Sequence, residues 1–165
     1  MNLNNAGIYI HIPFCRSKCP YCDFYSLRLD EDSANAYTDS LLRRIPALAS
    51  RYGVSADTIY LGGGTPSALG AERIARIVSA AREFAGNGAE ITVECNPFDA
   101  AKKGLDFALL KEAGVNRISM GMQSANDGER RALGRLSGRD DVYLAVRRAR
   151  DAGIENISLD LMLAV

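Results

Sequence analysis

Five short stretches of the chain alternate between apolar and polar positions with a period of two. They are "GIYIHI" (7–12), "DTIYLG" (57–62), "EITVEC" (90–95), "RISMGM" (117–122) and "NISLDLM" (156–162). One parity is apolar: Ile8, Ile10 and Ile12; Ile59 and Leu61; Ile91, Val93 and Cys95; Ile118, Met120 and Met122; Ile157, Leu159 and Leu161. The other is polar or small: Tyr9 and His11; Thr58 and Tyr60; Thr92 and Glu94; Ser119, Gly121 and Gln123; Ser158 and Asp160. This period predicts strands whose two faces differ. Helical stretches are predicted between them, at 31–51, 69–85, 101–113, 126–133 and 139–152. The second carries Ile74, Ile77, Val78 and Ala81 at helical spacing, and Gly114 and Gly153 suit the position just past a helix end. Pro46 predicts a kink or break in the first.

Strands separated by single helices give βαβ units, a parallel sheet and an α/β fold. Parallel strands covered on both faces read as continuous apolar runs. These do not, so the apolar parity is expected to meet the helices and the polar parity to line something wet or occupied. A curved sheet or partial (β/α) barrel with a ligand on its inner face accounts for the pattern. Ligands in such folds sit at the C-terminal ends of strands, where Glu94, Gln123 and Asp160 fall. The chain reaches "DLMLAV" at about the fifth strand, which predicts an incomplete barrel with two open edges.

Length and composition narrow the function classes. A chain of 165 residues, 47% hydrophobic and 24% charged, suits one soluble domain. Formal net charge is zero, which gives no reason to expect a nucleic-acid partner. Arg147-Arg148 reads as a solvated helix face. No apolar run reaches the ~20 residues that span a bilayer. The start "MNLNNAGIYIHIPF" lacks the basic n-region of a signal peptide, so the expected location is cytoplasmic, with reduced thiols.

Reduced thiols give "HIPFCRSKCPYCDFYS" (11–26) its interest. Three of the four cysteines, Cys15, Cys19 and Cys22, fall within eight positions. "CPYC" alone suits a dithiol exchanger, a reading that leaves Cys15 unexplained. A structural zinc site needs four ligands, and no second cysteine pair follows. Three thiolates at C-x3-C-x2-C suit a [4Fe–4S] cube that keeps one iron for a non-protein ligand. Aromatic neighbours Phe14, Tyr21, Phe24 and Tyr25 would shield such a cluster. Cys95 shares the apolar parity and reads as a buried small hydrophobe. His11 reads as a hydrogen-bonded interior histidine. "GGGTP" (62–66) lacks the spacing of phosphate-binding loops.

Taken together, these stretches resemble the radical S-adenosylmethionine (SAM) superfamily. More narrowly, "YIHIPFCRSKCPYCDFYS", "YLGGGTPS", "ITVECNP", "GVNRISMGMQSAND" and "ISLDLM" look like the group containing oxygen-independent coproporphyrinogen III oxidase and the heme chaperone HemW. The resemblance runs from Tyr9 to Met162. It implies that Cys15, Cys19 and Cys22 hold a [4Fe–4S] cluster and that the amine and carboxylate of SAM chelate the open iron. In the family, one electron through that iron breaks the sulfonium C–S bond and gives a 5′-deoxyadenosyl radical, the cofactor carrying the hard chemistry. By the same resemblance Tyr9, Tyr21, Gly63, Gly64, Thr65, Glu94, Gln123, Arg135 and Asp160 are the expected cofactor-contacting positions; no residue is assigned as catalytic. At the two glycines, missing side chains are expected to let backbone approach the ligand. The oxidase pattern resembles C-x3-C-x2-C-x-C, whereas this chain has Phe24 at the last position, which points to the HemW-like branch. The resemblance then implies heme or porphyrinogen as ligand, with an electron donor and a heme-acceptor protein as partners. It also implies that residues 1–165 are the N-terminal portion of a radical SAM core domain whose C-terminal domain is absent.

Overall fold

In the computed structural model, which describes residues 4–163, each alternating stretch is a strand. β1 (Asn4–Ile12) leads through β2 (Phe14–Cys15) and the cysteine loop to β3 (Leu27–Arg28). There follow α1 (Glu31–Tyr52), β4 (Ser55–Gly63), a 3₁₀ turn (Pro66–Leu69), α2 (Ala71–Arg82) and β5 (Ala85–Cys95). The chain continues with α3 (Pro97–Lys102), α4 (Phe107–Ala113), β6 (Arg117–Gln123), α5 (Asp127–Ala132), α6 (Arg139–Asp151) and β7 (Asn156–Leu161). Strands β1, β4, β5, β6 and β7 form one sheet in that order, with every pair parallel. It is an open arc of five strands with β1 and β7 as edges.

The register carries the parity across the sheet. Ile10 lies beside Leu61, Leu61 beside Val93, Val93 beside Ile118, and Ile118 beside Ile157. The first four are buried, packed with Ile74, Ile77 and Val78 of α2, Leu110 of α4 and Ala145 and Ala149 of α6. The helical spacing seen in α2 is thus its sheet-facing stripe. On β7 the expectation fails. Leu159 and Leu161 are exposed, because this edge strand lies beyond the helices that cover its neighbours.

Three element boundaries differ from the sequence pattern. α1 runs unbroken through Pro46. The proline removes one backbone donor, but Ile45 and Ala49 beside it are buried. Asp30 caps one end by accepting from the Ser33 amide, and Gly53 closes the other in the left-handed conformation. The stretch expected as one helix over 101–113 is two. Gly104 turns the chain with φ +68°, and Asp106 starts α4 by accepting from the Leu109 amide at 3.0 Å. The helix expected over 69–85 is shorter: Leu69 ends the 3₁₀ turn, α2 runs Ala71–Arg82 after Gly70, and Ala85 opens β5. Arg148 is more than a solvated cation: it donates to the Ala100 carbonyl of α3 at 2.5 Å.

Candidate cofactor-binding site

The cysteine loop is stitched at its base. Leu27 donates to the Pro13 carbonyl at 2.7 Å and Leu29 to the Cys15 carbonyl at 2.9 Å, closing the loop between β2 and β3. Within it, the Cys22 amide donates to the Cys19 carbonyl at 3.1 Å, closing a tight turn between the two cysteines. The turn after β4 docks against this base. Gly64 donates to the Ile12 carbonyl at 2.9 Å, and Thr65 to the Phe14 carbonyl at 2.7 Å. The Thr65 hydroxyl lies 3.3 Å from the Cys15 thiol.

That docking gives the glycines a reason within the chain itself, besides the one expected. A Cβ on Gly64 would stand 2.8 Å from the Phe14 carbonyl oxygen, and one on Gly63 would stand 2.4 Å from the His11 ring. The space their missing side chains leave is taken by the chain's own strand end. Gly63 also sits at φ +113°, which L side chains rarely adopt.

At the C-terminal ends of the strands these turns enclose a cleft of about 190 Å³. All three loop cysteines line it, with Tyr21, Gly63, Gly64, Thr65, Glu94, Gln123, Arg135 and Asp160. Tyr9 stands apart: it is exposed on β1, stacked on Tyr60, with its hydroxyl 3.0 Å from His11 Nδ1. His11 Nε2 lies 3.2 Å from the Tyr25 carbonyl, so both ring nitrogens have partners. Cys95 is buried on the apolar parity, and burial pushes its thiol well up from the ordinary range.

The polar wall is ordered before any ligand arrives. Glu94 accepts from the Tyr60 hydroxyl at 2.8 Å and from the Gly63 amide at 3.2 Å. Burial raises its carboxyl above the usual range despite those two bonds, and the nearby Asp160 charge adds to the rise. Burial also raises Tyr60, with Glu94 contributing. Asp160 lies 3.4 Å from the Ser119 hydroxyl, which meets Ser158 at 3.2 Å across the β6–β7 pair. Gln123 ends β6 at φ +67°, a left-handed conformation that costs a non-glycine residue about 1–2 kcal/mol. Arg135 donates to the Gly121 carbonyl at 2.8 Å, while its buried Nε has no partner.

Two buried charges in this region escaped the sequence pattern. Arg130 is 1% exposed and donates to the carbonyls of Met122, Ser124 and Ser137, holding the 134–138 loop against the end of β6. Asp99, 2% exposed, binds Arg16 of the cysteine loop at 2.5 Å and accepts from Ser67 at 2.7 Å. Asp99 stands among Phe98, Ala100 and Ala101, and Arg130 between the charged Glu129 and Arg131; neither stretch marks the residue that is buried. Tyr60 had a usable signal, since its parity placed it on the same face as Glu94.

The radical SAM superfamily pattern matches residues 9–165. The chain belongs to that superfamily. Heme chaperone HemW of Bacillus subtilis is 37% identical over 161 residues, covering 95% of this chain and 42% of that protein. Heme chaperone HemW of Escherichia coli is 39% identical over 167 residues, covering 98% of this chain and 43% of that protein. The chain therefore spans less than half the length of these curated relatives. The structure of coproporphyrinogen III oxidase (HemN) from Escherichia coli, described as a radical SAM enzyme, superposes with a TM-score of 0.81 at 28% identity, covering 97% of this chain and 37% of that one. The parallel arc with helices on one face is thus the radical SAM α/β fold in part.

The residues fit the superfamily's cofactors. Among the described residues no three His, Cys, Asp or Glu side chains stand close enough for a single metal ion. A four-iron cube spreads its thiolates over separate irons and does not need that spacing. Cys15, Cys19 and Cys22 are free thiols on one wall of the cleft. Facing the same space are the guanidinium-bearing Arg135 and two carboxylates, Glu94 and Asp160, suited to the carboxylate, ammonium and hydroxyl groups of SAM.

Proposed function

We propose that this chain is the cluster- and SAM-binding core of a HemW-like heme chaperone, which binds heme and passes it to an acceptor protein. The observation that carries the reading is the meeting of the three loop cysteines with Glu94, Gln123, Arg135 and Asp160 around one cleft. Phe24 stands where the oxidase pattern has a further cysteine, and it is exposed beside that cleft. The cluster, when bound, supplies an iron with an open coordination site and one-electron chemistry. Cys15, Cys19 and Cys22 hold it. Arg135 would offer its positive charge to the SAM carboxylate, and Glu94 and Asp160 would accept from the SAM ammonium or ribose hydroxyls. Tyr21 and Phe24 line the cleft and would offer aromatic surface beside the cluster. Tyr9 does not line the cleft and reaches its polar wall only through Tyr60, on which it stacks. The whole forms the N-terminal portion of a radical SAM core domain working in the cytoplasm with an electron donor.

A second reading is an oxygen-independent coproporphyrinogen III oxidase, favoured by the superposition on HemN. One experiment separates the two. The reconstituted protein is given heme in one arm and coproporphyrinogen III with SAM and a reductant in the other. Stoichiometric heme binding without porphyrinogen loss supports the chaperone. Decarboxylation coupled to 5′-deoxyadenosine release rejects it in favour of the oxidase.

A further inference from the structure

The loop that carries the cysteines is tied at one more point, inside the C-x3-C spacing itself. Arg16 directly follows Cys15. Its Nε donates to Asp99 Oδ1 at 2.5 Å, and its terminal nitrogen to the Ala68 carbonyl at 3.4 Å. Asp99 lies on the first turn of α3, two residues after Pro97. Its other oxygen accepts from Ser67 at 2.7 Å, and the Ser67 hydroxyl accepts from the Asn96 amide at 2.9 Å. Three segments at the C-terminal ends of β1, β4 and β5 therefore converge on one buried carboxylate. Ser67 is itself 1% exposed.

A carboxylate buried this deeply is retained only where it is paired and fully hydrogen-bonded. Arg16 meets the first need, Ser67 the second. The pair is asymmetric: Asp99 is rigid, on a helix packed against α6, whereas Arg16 is on the loop and partly exposed. The fixed partner positions the mobile one. Backbone bonds hold the loop's base, from Gly64 and Thr65 ahead of Cys15 and from the Leu29 amide on the Cys15 carbonyl itself. Lys18 spans the loop to the Phe24 carbonyl at 2.5 Å. The Arg16–Asp99 bond is the side-chain tie that anchors the residue after Cys15 to the buried first turn of α3, and so bears on the direction in which Cys19 and Cys22 are presented.

We propose that Asp99 is the positioning residue of the cysteine loop, acting through Arg16 to hold Cys15, Cys19 and Cys22 in the arrangement that accepts the cluster. This rests on the cluster-binding reading above.

The test compares Asp99→Asn, Arg16→Gln and Arg16→Lys with wild type. In cluster-free protein, alkylation rates of individual cysteines are followed by mass spectrometry. Buried Cys95 reports general opening of the fold. In reconstituted protein, iron loss to a chelator is followed by absorbance. Asp99→Asn and Arg16→Gln should each speed alkylation of Cys15, Cys19 and Cys22 about tenfold, the scale of losing one charged hydrogen bond, with Cys95 protected. Iron loss should accelerate in the same two variants, and Arg16→Lys should recover much of both effects. Unchanged rates in both variants overturn the proposal. So does parallel exposure of Cys95, which makes Asp99 a residue of the fold at large. Should wild-type protein hold no cluster, the cluster-binding reading fails, while the alkylation arm still decides whether Asp99 orders the loop.

Discussion

The amide of Gly64 donates to the carbonyl of Ile12 at 2.9 Å, and a Cβ on that glycine would stand 3.0 Å from the same oxygen. The contact joins the turn after β4 to the segment that launches the cysteine loop. Both surfaces are backbone, so no rotamer change relieves an added methyl. Gly64→Ala should lower stability by about 1–3 kcal/mol, the usual range for overpacking. Urea unfolding of the cluster-free protein measures it; a midpoint equal to wild type would show that the turn moves freely.

Glu94 predicts a pH-dependent stability. Burial raises its carboxyl, so the folded chain holds that proton more tightly than the unfolded chain does. Stability is full below the ordinary glutamate range and declines as pH rises through the higher folded value. Gln is neutral throughout, and its amide can satisfy both Tyr60 and Gly63. Glu94→Gln should therefore melt about 2–4 °C above wild type near pH 7, with the gap closing below about pH 4. A gap of the same size at both pH values, or a less stable variant at pH 7, contradicts the assignment.

Arg135 lines the cleft, held there by its bond to the Gly121 carbonyl and with its Nε buried. Losing it should weaken SAM binding by about tenfold or more, the scale of a charge-assisted hydrogen bond. Titration calorimetry on anaerobically reconstituted Arg135→Gln reads this directly. Equal affinity in variant and wild type would place the SAM carboxylate elsewhere.

Arg130 acts at one remove. Its guanidinium satisfies carbonyls on both sides of α5 and shapes the loop that carries Arg135. Arg130→Ala should cost about 2–4 kcal/mol by leaving those carbonyls dry and a cavity behind. A loss below 1 kcal/mol would mean that water replaces the side chain at no penalty.

These residues show where sequence reading succeeds. Strand parity was legible because register repeats it: Ile10, Leu61, Val93 and Ile118 stand in one row, so each strand independently reports the same face. The same parity brought Glu94, Gln123 and Asp160 to one cleft. Pro46 misled because a local rule about one missing hydrogen bond competes with burial on both sides of it, which sequence does not weigh. Gly104 was a helix break hidden inside an apolar periodicity that α3 and α4 share. Asp99 was illegible because its charged partner, Arg16, lies 83 positions away, and Arg130 because its partners, though within eight positions, are mostly backbone carbonyls that no side-chain pattern marks. The Gly-rich turn was recognised, and its physical reason, contact with Ile12, Phe14 and His11, came only with the structure.

The central claim is that Cys15, Cys19 and Cys22 together hold one [4Fe–4S] cluster. Anaerobic reconstitution followed by iron and sulfide analysis tests it most directly. The account predicts about four irons and four sulfides per chain, with the cluster lost in Cys15→Ala and retained in Cys95→Ala. Bound zinc without sulfide, or dithiol exchange that survives in Cys15→Ala, would contradict it.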